Sequence, residues 1–326
     1  TFDRRPHGHA FLSGQPSFSG RGIALIAVLW VLTLLTVLAG SFAYTMRQES
    51  RLAQYSMGSA QARLLAEAAV QQAAFELRRD PVVRRWPVDG SPQAWAFAEG
   101  QVTVHLLDQS GLIDLNQADP RLLDGLLATA GGVSDPQQRA ALLDAIQDWR
   151  DFDPDTRLNG AEDAEYERAG RPYGAKDAPF ASVEELQQVL GMDLALYRKI
   201  APALTVFGLQ ANINPLVAPE IVLNAVPGLD PAIVMSYLQL RGTPGAESLL
   251  QNLPGVDALL ISGQGQFLYR LQLEAQTAAG QAALEVVINV PPGGVMADTG
   301  IEGAERLFDI LLWQTLWPTG NIIEKS

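Results

Sequence analysis

The sequence predicts an α+β fold: a long N-terminal helix packed on a small antiparallel sheet, with a large α-helical domain inserted between the sheet strands. Three observations carry that expectation. Ile23–Met46 carries no charge, and Arg47–Asp80 carries no proline and a single glycine, Gly58. Two separate stretches, one before residue 110 and one after residue 262, alternate apolar and polar residues with the period of a half-buried strand. The residues between them read as a series of short helices.

The chain has 326 residues, 48% of them hydrophobic, which is material for two or three cores. Formal net charge is −13, yet residues 1–22 run against it, with Arg4, Arg5 and Arg21 facing Asp3 alone. The rest is more acidic still, which opposes binding to nucleic acid. The densest basic cluster, Arg78-Arg79 with Arg84-Arg85, brackets an expected helix end. Absence of cysteine excludes disulfides and thiolate metal sites and leaves an oxidising compartment open.

The N-terminal arm comes first. At about 1.5 Å per residue, Ile23–Met46 is long enough to cross a hydrocarbon core of about 30 Å. The arginines ahead of it place the N-terminus in the cytoplasm and the body beyond the membrane. A secretory signal has an apolar core of about 7–15 residues and a small-residue cleavage site. This run is longer and passes without a break into 47–80, so one helix of roughly 85 Å over Ile23–Asp80 is expected. Leu52, Leu64, Leu65, Ala68, Ala69, Ala73 and Phe75 form its expected apolar side. Pro81 ends it, with Arg78-Arg79 suited to the helix C-terminus.

The sheet follows. Ala94–Asp108 reads as a hairpin, since Val102, Val104 and Leu106 alternate. Phe267, Tyr269, Leu271 and Leu273 alternate again, and "AALEVVINV" follows across a turn at Ala279-Gly280. The tail "LFDILLWQTLW" fits either a closing strand or a short helix. Residues 81–110 and 262–326 thus form one α/β domain with the helix, interrupted by 111–261.

The insert holds a repeat: "LQQVLGMD" (Leu186–Asp193), "LNAVPGLD" (Leu223–Asp230) and "LQNLPGVD" (Leu250–Asp257). A helix ends, glycine supplies a left-handed turn, and aspartate caps the next helix. "SVEE" (Ser182–Glu185) has capping-box spacing. "GLIDLNQADPRLLDGLL" and "ANINPLVAPEIVLNAV" share an x-Pro helix entry. The repeat is similar to helix-hairpin-helix and SAM-like modules, which raises DNA binding as a rival function. DNA-binding hairpins of that kind carry a second glycine where this chain has Asp193, Asp230 and Asp257, and a carboxylate there repels phosphate.

Residues 148–174 form an acidic loop. Asp151, Asp153 and Asp155 alternate, followed by Asn159, Glu162 and Asp163. These hard oxygen donors suit Ca²⁺, which takes about six to eight oxygens. The offsets are not those of an EF-hand, and the loop lacks nitrogen and sulfur donors for zinc. A solvated acidic loop is the plain alternative. No phosphate-binding glycine loop, Gly-x-Ser-x-Gly or His-Glu-x-x-His occurs, and His7, His9 and His105 form no catalytic pattern. An enzyme is not expected.

A basic residue, Gly22, and an apolar helix running into an amphipathic one resemble the N-terminus of the type IV pilin and type II secretion pseudopilin class. The resemblance implies that a prepilin peptidase removes residues 1–22, cutting between Gly22 and Ile23, with methylation of the new terminus. Most members carry glutamate at the fifth mature position, where this chain has Ala27. A carboxylate in an apolar helix is costly unless it meets a partner such as the terminal amine of the next subunit. A subunit with no neighbour ahead gains nothing from it, so its absence suits the end of a filament.

With so large a body, the chain resembles the minor pseudopilin K family of the type II (general) secretion system. Asp148-Trp149-Arg150-Asp151, Asn159-Gly160-Ala161-Glu162-Asp163 and Tyr166 match that family's acidic stretch, which implies structural Ca²⁺ there. The resemblance further implies a single-pass inner-membrane protein with a periplasmic body and a place at the pseudopilus tip. Its expected partners are minor pseudopilins I and J, the other pseudopilins and the prepilin peptidase. A membrane-anchored DNA-binding protein and an unprocessed periplasmic scaffold are the alternatives.

Overall fold

A computed structural model describes residues 21–80, 83–241, 243, 245–246, 248, 255–291 and 308–317. Residues 1–20 of the expected leader, and the helix end of the third repeat at 250–254, lie outside them. The chain divides into two compact units, one running to Met57 and the other beginning at Gly58.

The first unit is helical throughout its described length, as the N-terminal part of α1 (Arg21–Leu77). Gly22 and Ile23 fall in the first turn. Every large apolar side chain from Leu25 to Met46 is at least half exposed, and the most apolar 18-residue window has a mean hydropathy of 2.4. The hydroxyls of Thr33, Thr36, Ser41 and Thr45 donate to carbonyls one turn back at 2.8–3.0 Å. Each of these four hydroxyls is thereby satisfied within the helix, as a hydrocarbon environment requires.

In the second unit α1 packs on a five-stranded antiparallel sheet, order β1-β2-β5-β6-β7. Its strands are β1 (Asp89–Phe97), β2 (Gly100–Asp108), β5 (Leu268–Thr277), β6 (Gln281–Asn289) and β7 (Asp309–Leu316). The tail is therefore a strand, and the first strand starts five residues before Ala94. Val102, Val104 and Leu106 of β2, Leu271 and Leu273 of β5, and Leu284, Val286 and Ile288 of β6 form one face. That face meets Leu65, Ala66, Ala69, Val70, Ala73, Ala74 and Leu77 of α1.

The expected apolar side of the helix needs correction. Leu65, Ala69 and Ala73 are buried, but Leu52, Leu64 and Phe75 are 57–68% exposed. The sheet selects small residues, because alanines let the helix backbone approach closely, whereas bulky side chains stand off it. Gly58 shows the limit: a Cβ there would strike the Ala279 carbonyl in the β5–β6 turn. Gly58→Val is therefore expected to cost about 1–3 kcal/mol, read as a lower midpoint in denaturant titration of the full chain.

The helix also ends earlier than expected, at Leu77 rather than Asp80. Arg78 and Arg79 do not cap it. Instead Arg84, seven residues on, donates to the Leu77 carbonyl at 3.2 Å. Arg79 pairs with buried Glu76, which also accepts from the Arg85 N–H.

The insert leaves from the end of β2 and returns at the start of β5, two strands paired from Gly100↔Thr277 to Asp108↔Tyr269. It holds a second core, separate from that of the sheet, around Leu122, Leu126, Ile146, Trp149, Tyr166, Leu186 and Val222. Its elements are β3 (Ile113–Asp114), α2 (Pro120–Thr129), α3 (Pro136–Arg150), α4 (Asp163–Arg168), α5 (Leu194–Ile200), β4 (Leu204–Thr205), α6 (Glu220–Leu223) and α7 (Pro231–Leu240). β3 and β4 pair in parallel, a small addition to an otherwise helical domain.

The repeated turns fold as their residues dictate. Gly191, Gly228 and Gly255 have φ of +86°, +81° and +85°. Asp193, Asp230 and Asp257 each accept the N–H of the helix they open, at 2.7–2.9 Å. These carboxylates are already engaged with their own helices. Before the first turn, Val183–Gln188 is a 3-10 helix, and the expected capping box at Ser182 does not form. Glu185 instead accepts the Ala181 N–H and binds Lys176, since the tighter 3-10 winding carries it past the Ser182 amide.

Candidate functional site

The acidic loop is hung from the last two turns of α3. Asp144 and Asp148 lie one turn apart on that helix, so both carboxylates face the loop. Asp144 accepts the Asn159 backbone and side-chain N–H groups at 3.0 and 3.1 Å. Asp148, fully buried, accepts the backbone N–H groups of Arg157 at 3.2 Å and Ala161 at 2.8 Å, and the Arg157 guanidinium at 2.6 Å. Arg157 also contacts Asp151. A Cβ on Gly160 would collide with the Asp148 carboxylate, so glycine is required at that crossing.

Behind the loop, Trp149 packs against Tyr166, Tyr173 and Phe180 with ring centroids 5.9–6.4 Å apart. The Tyr166 hydroxyl accepts the Leu190 N–H at 3.0 Å, which ties α4 to the first repeat turn. Asn116 holds the Phe180 backbone through two hydrogen bonds of 2.7 and 3.0 Å. These contacts draw residues 173–177 over the acidic loop, where a Cβ on Gly174 would strike the Asp163 carboxylate.

The expected ligands separate into groups. Asp151 and Asp163, with Asp148 and with Asp177 from the chain beyond the loop, lie near enough to Glu162 for their charges to act on it. Burial, with the charges of Asp148, Asp177, Asp151 and Asp163 around it, pushes the Glu162 carboxyl up to about 7. Burial and the charges of Asp163, Asp151 and Asp153 likewise raise Asp177, whose φ is +51°. Asp153 accepts the Asp155 N–H at 3.1 Å and is exposed, as is Asp155. Asn159 is held by Asp144 rather than turned to the cluster.

A cation fits the chemistry of this cluster. Its donors are all oxygens, its carboxylates repel one another, and two buried oxygens, Oδ1 of Asp151 and Oε1 of Glu162, have no hydrogen-bond partner. Among the described residues, no three acidic or histidine side chains stand in position to share one ion. The charge deficit is in place and the coordination shell is not closed.

Asp177 and Asp144 escape a reading of the sequence because they reach the loop from outside it. Asp144 is signalled only by helical spacing from Asp148. Asp177 lies just past the loop, and only the fold turns it back.

A family model described as "Type II secretion system (T2SS), protein K" matches residues 104–208, the stretch from β2 through the acidic loop to the end of β4. A type II secretion system protein K of Klebsiella pneumoniae is 30% identical over 220 residues, covering 60% of this chain and 66% of that protein. One from Pseudomonas aeruginosa is 29% identical over 255 residues, covering 70% and 74%. Among solved structures, a chain of the GspK-GspI-GspJ complex from the enterotoxigenic Escherichia coli type 2 secretion system shares the fold. Its TM-score is 0.54 at 20% identity, covering 83% of this chain and 99% of that one.

Proposed function

The chain belongs to the type II secretion system protein K family, and from that premise we propose that it is the minor pseudopilin at the tip of a periplasmic pseudopilus. Its work is assembly rather than catalysis. The observation that carries this reading is α1: an apolar, fully exposed membrane-length helix that continues without a break into the helix under the sheet. A subunit so built is held in the inner membrane, cytoplasmic at its N-terminus, and can pass into a filament without refolding.

Ala27 supports the end position. An incoming subunit with glutamate there brings a charge that must be paired in an apolar bundle, and this chain brings none. The relative's complex with GspI and GspJ supports minor pseudopilins I and J as partners; in this reading the other pseudopilins follow below them, and export of folded proteins is the outcome. Exposed Leu52, Tyr55, Met57 and Leu64 on α1 are surfaces available to their helices.

Calcium belongs to the same proposal. Asp151, Glu162, Asp163 and Asp177 would hold the ion, with Asp153 nearby, and the ion would supply the positive charge that these carboxylates lack. Asp148 and Asp144 would fix the loop from behind. The insert then keeps one shape, a bulky head that blocks addition above it.

N-terminal sequencing of the protein purified from membranes tests the assembly role. A chain that begins at Ile23, with a methylated amine by mass spectrometry, is expected. An intact leader at Gly22 would assign the protein to an unprocessed scaffold instead.

A further inference from the structure

The face of the sheet turned away from α1 meets the insert across a cavity of about 430 Å³. Its floor is two cross-strand rows. Gln272, Glu285 and Gln314 stand side by side across β5, β6 and β7, with Arg270, Val287 and Leu312 in the adjacent row, and outside this cavity the two rows run on to His105 and Leu107 of β2. The first row is polar, and the second is apolar except for one guanidinium. A smaller cavity of about 210 Å³ shares Arg270 and continues over His105 and Leu107.

Arg270 is the anomaly. One of its terminal nitrogens donates to the Leu204 carbonyl at 2.8 Å, while its Nε is buried without a partner. It stands in no ion pair among the described residues: burial pulls its pKa down, and the Glu285 and Glu184 carboxylates, whose charges oppose that, make no salt bridge with it. A desolvated cation with an unused donor is costly unless something anionic meets it. Above it, Tyr197 of α5 lines the same cavity. Burial, with Glu184 and Glu285 nearby, pushes that phenol above its usual range and keeps it a donor.

The lining also limits the ligand. Glu184 and Glu285 face the cavity against Arg198 and Arg270, so the lining has no surplus positive charge to hold a multiply charged anion such as phosphate, whereas a single carboxylate can be seated on Arg270. Val287 and Leu312 offer an apolar bed beside the guanidinium. Gln272, whose amide donates to Glu285 at 2.8 Å, and Gln314 offer groups that an amide can bond. We propose that this cavity binds the C-terminal residue of a polypeptide, its carboxylate on Arg270 and Tyr197 and its apolar side chain over Val287 and Leu312. The preceding amide lies along the polar row. The site is independent of the acidic loop and of the N-terminal processing.

Isothermal titration of the full chain in nonionic detergent with N-acetyl-glycyl-leucine and its C-terminal amide tests this. The acid is expected to bind about tenfold more tightly than the amide, the worth of one charge-assisted hydrogen bond. Arg270→Gln is expected to remove that difference. Tyr197→Phe keeps the packing and is expected to weaken the acid several-fold, which decides the matter if the Arg270 variant fails to fold. Equal binding of acid and amide, no binding of either, or an unchanged Tyr197→Phe would overturn the proposal. The free acid 4-methylpentanoate separates the two sources of carboxylate: binding as tight as the peptide's would assign the site to a small acid instead of a chain end.

Discussion

Calcium added to the purified chain at pH 8 is expected to raise its melting temperature by about 5–10 °C over chelator, the shift that about 3–4 kcal/mol of linked binding produces in a domain of this size. The sign of the pH dependence follows from Glu162. Its folded-state pKa of about 7 lies above the ordinary carboxyl value of 4.5. Its contribution to stability is therefore fully present below pH 4.5 and is lost as pH rises through 7. The ion-free chain should weaken across that window by on the order of 1–3 kcal/mol. Calcium must bind the ionised carboxylate, so its benefit should grow across the same window and be small at pH 5. Differential scanning calorimetry at pH 5 and pH 8, with calcium and with chelator, measures all four states. A calcium effect equal at both values, or none at pH 8, would remove Glu162 from the ligand set.

The second large effect is expected at Asp148, which we do not count among the ligands. Asp148→Ala should cost about 3–5 kcal/mol, because it leaves two backbone N–H groups unpaired around a fully buried position and takes from the Arg157 guanidinium one of its two carboxylates. Thermal denaturation should show a fall of the order of 10 °C. Asp148→Asn keeps an acceptor and should cost less. Asp155→Ala, at an exposed side chain, should stay within about 0.5 kcal/mol. If Asp148→Ala proves as mild as Asp155→Ala, the loop is not hung from α3 as described.

That contrast shows what a linear reading reaches. Strands announce themselves by alternation, and the Gly-apolar-Asp turns by a backbone geometry that glycine alone adopts freely, so both are local and legible. The acidic loop is legible as a concentration of charge. Its division of labour is not: Asp148 and Asp155 are the same residue type seven positions apart, and only burial makes one a post and the other a solvated side chain. Arg84 at the helix end, Asp177 over the loop and Arg270 under the insert belong to the same class. Each acquires its role from a neighbour that the chain supplies elsewhere. The buried side of α1 differs from its most hydrophobic side for a related reason, since a sheet packed closely on a helix prefers alanine to the larger residues that hydrophobicity ranks first.

The pairing of β2 with β5 has a consequence for how such a chain diversifies. Asp108 and Tyr269 are direct neighbours across the ladder, so the whole helical domain is, to the sheet, a turn. Strand register is set by the strands themselves, and doubling the length of a flexible connection costs only about 0.6 kcal/mol. A head of almost any size can be mounted between those two residues, or pared away, without moving one rung of the β2–β5 ladder beneath it.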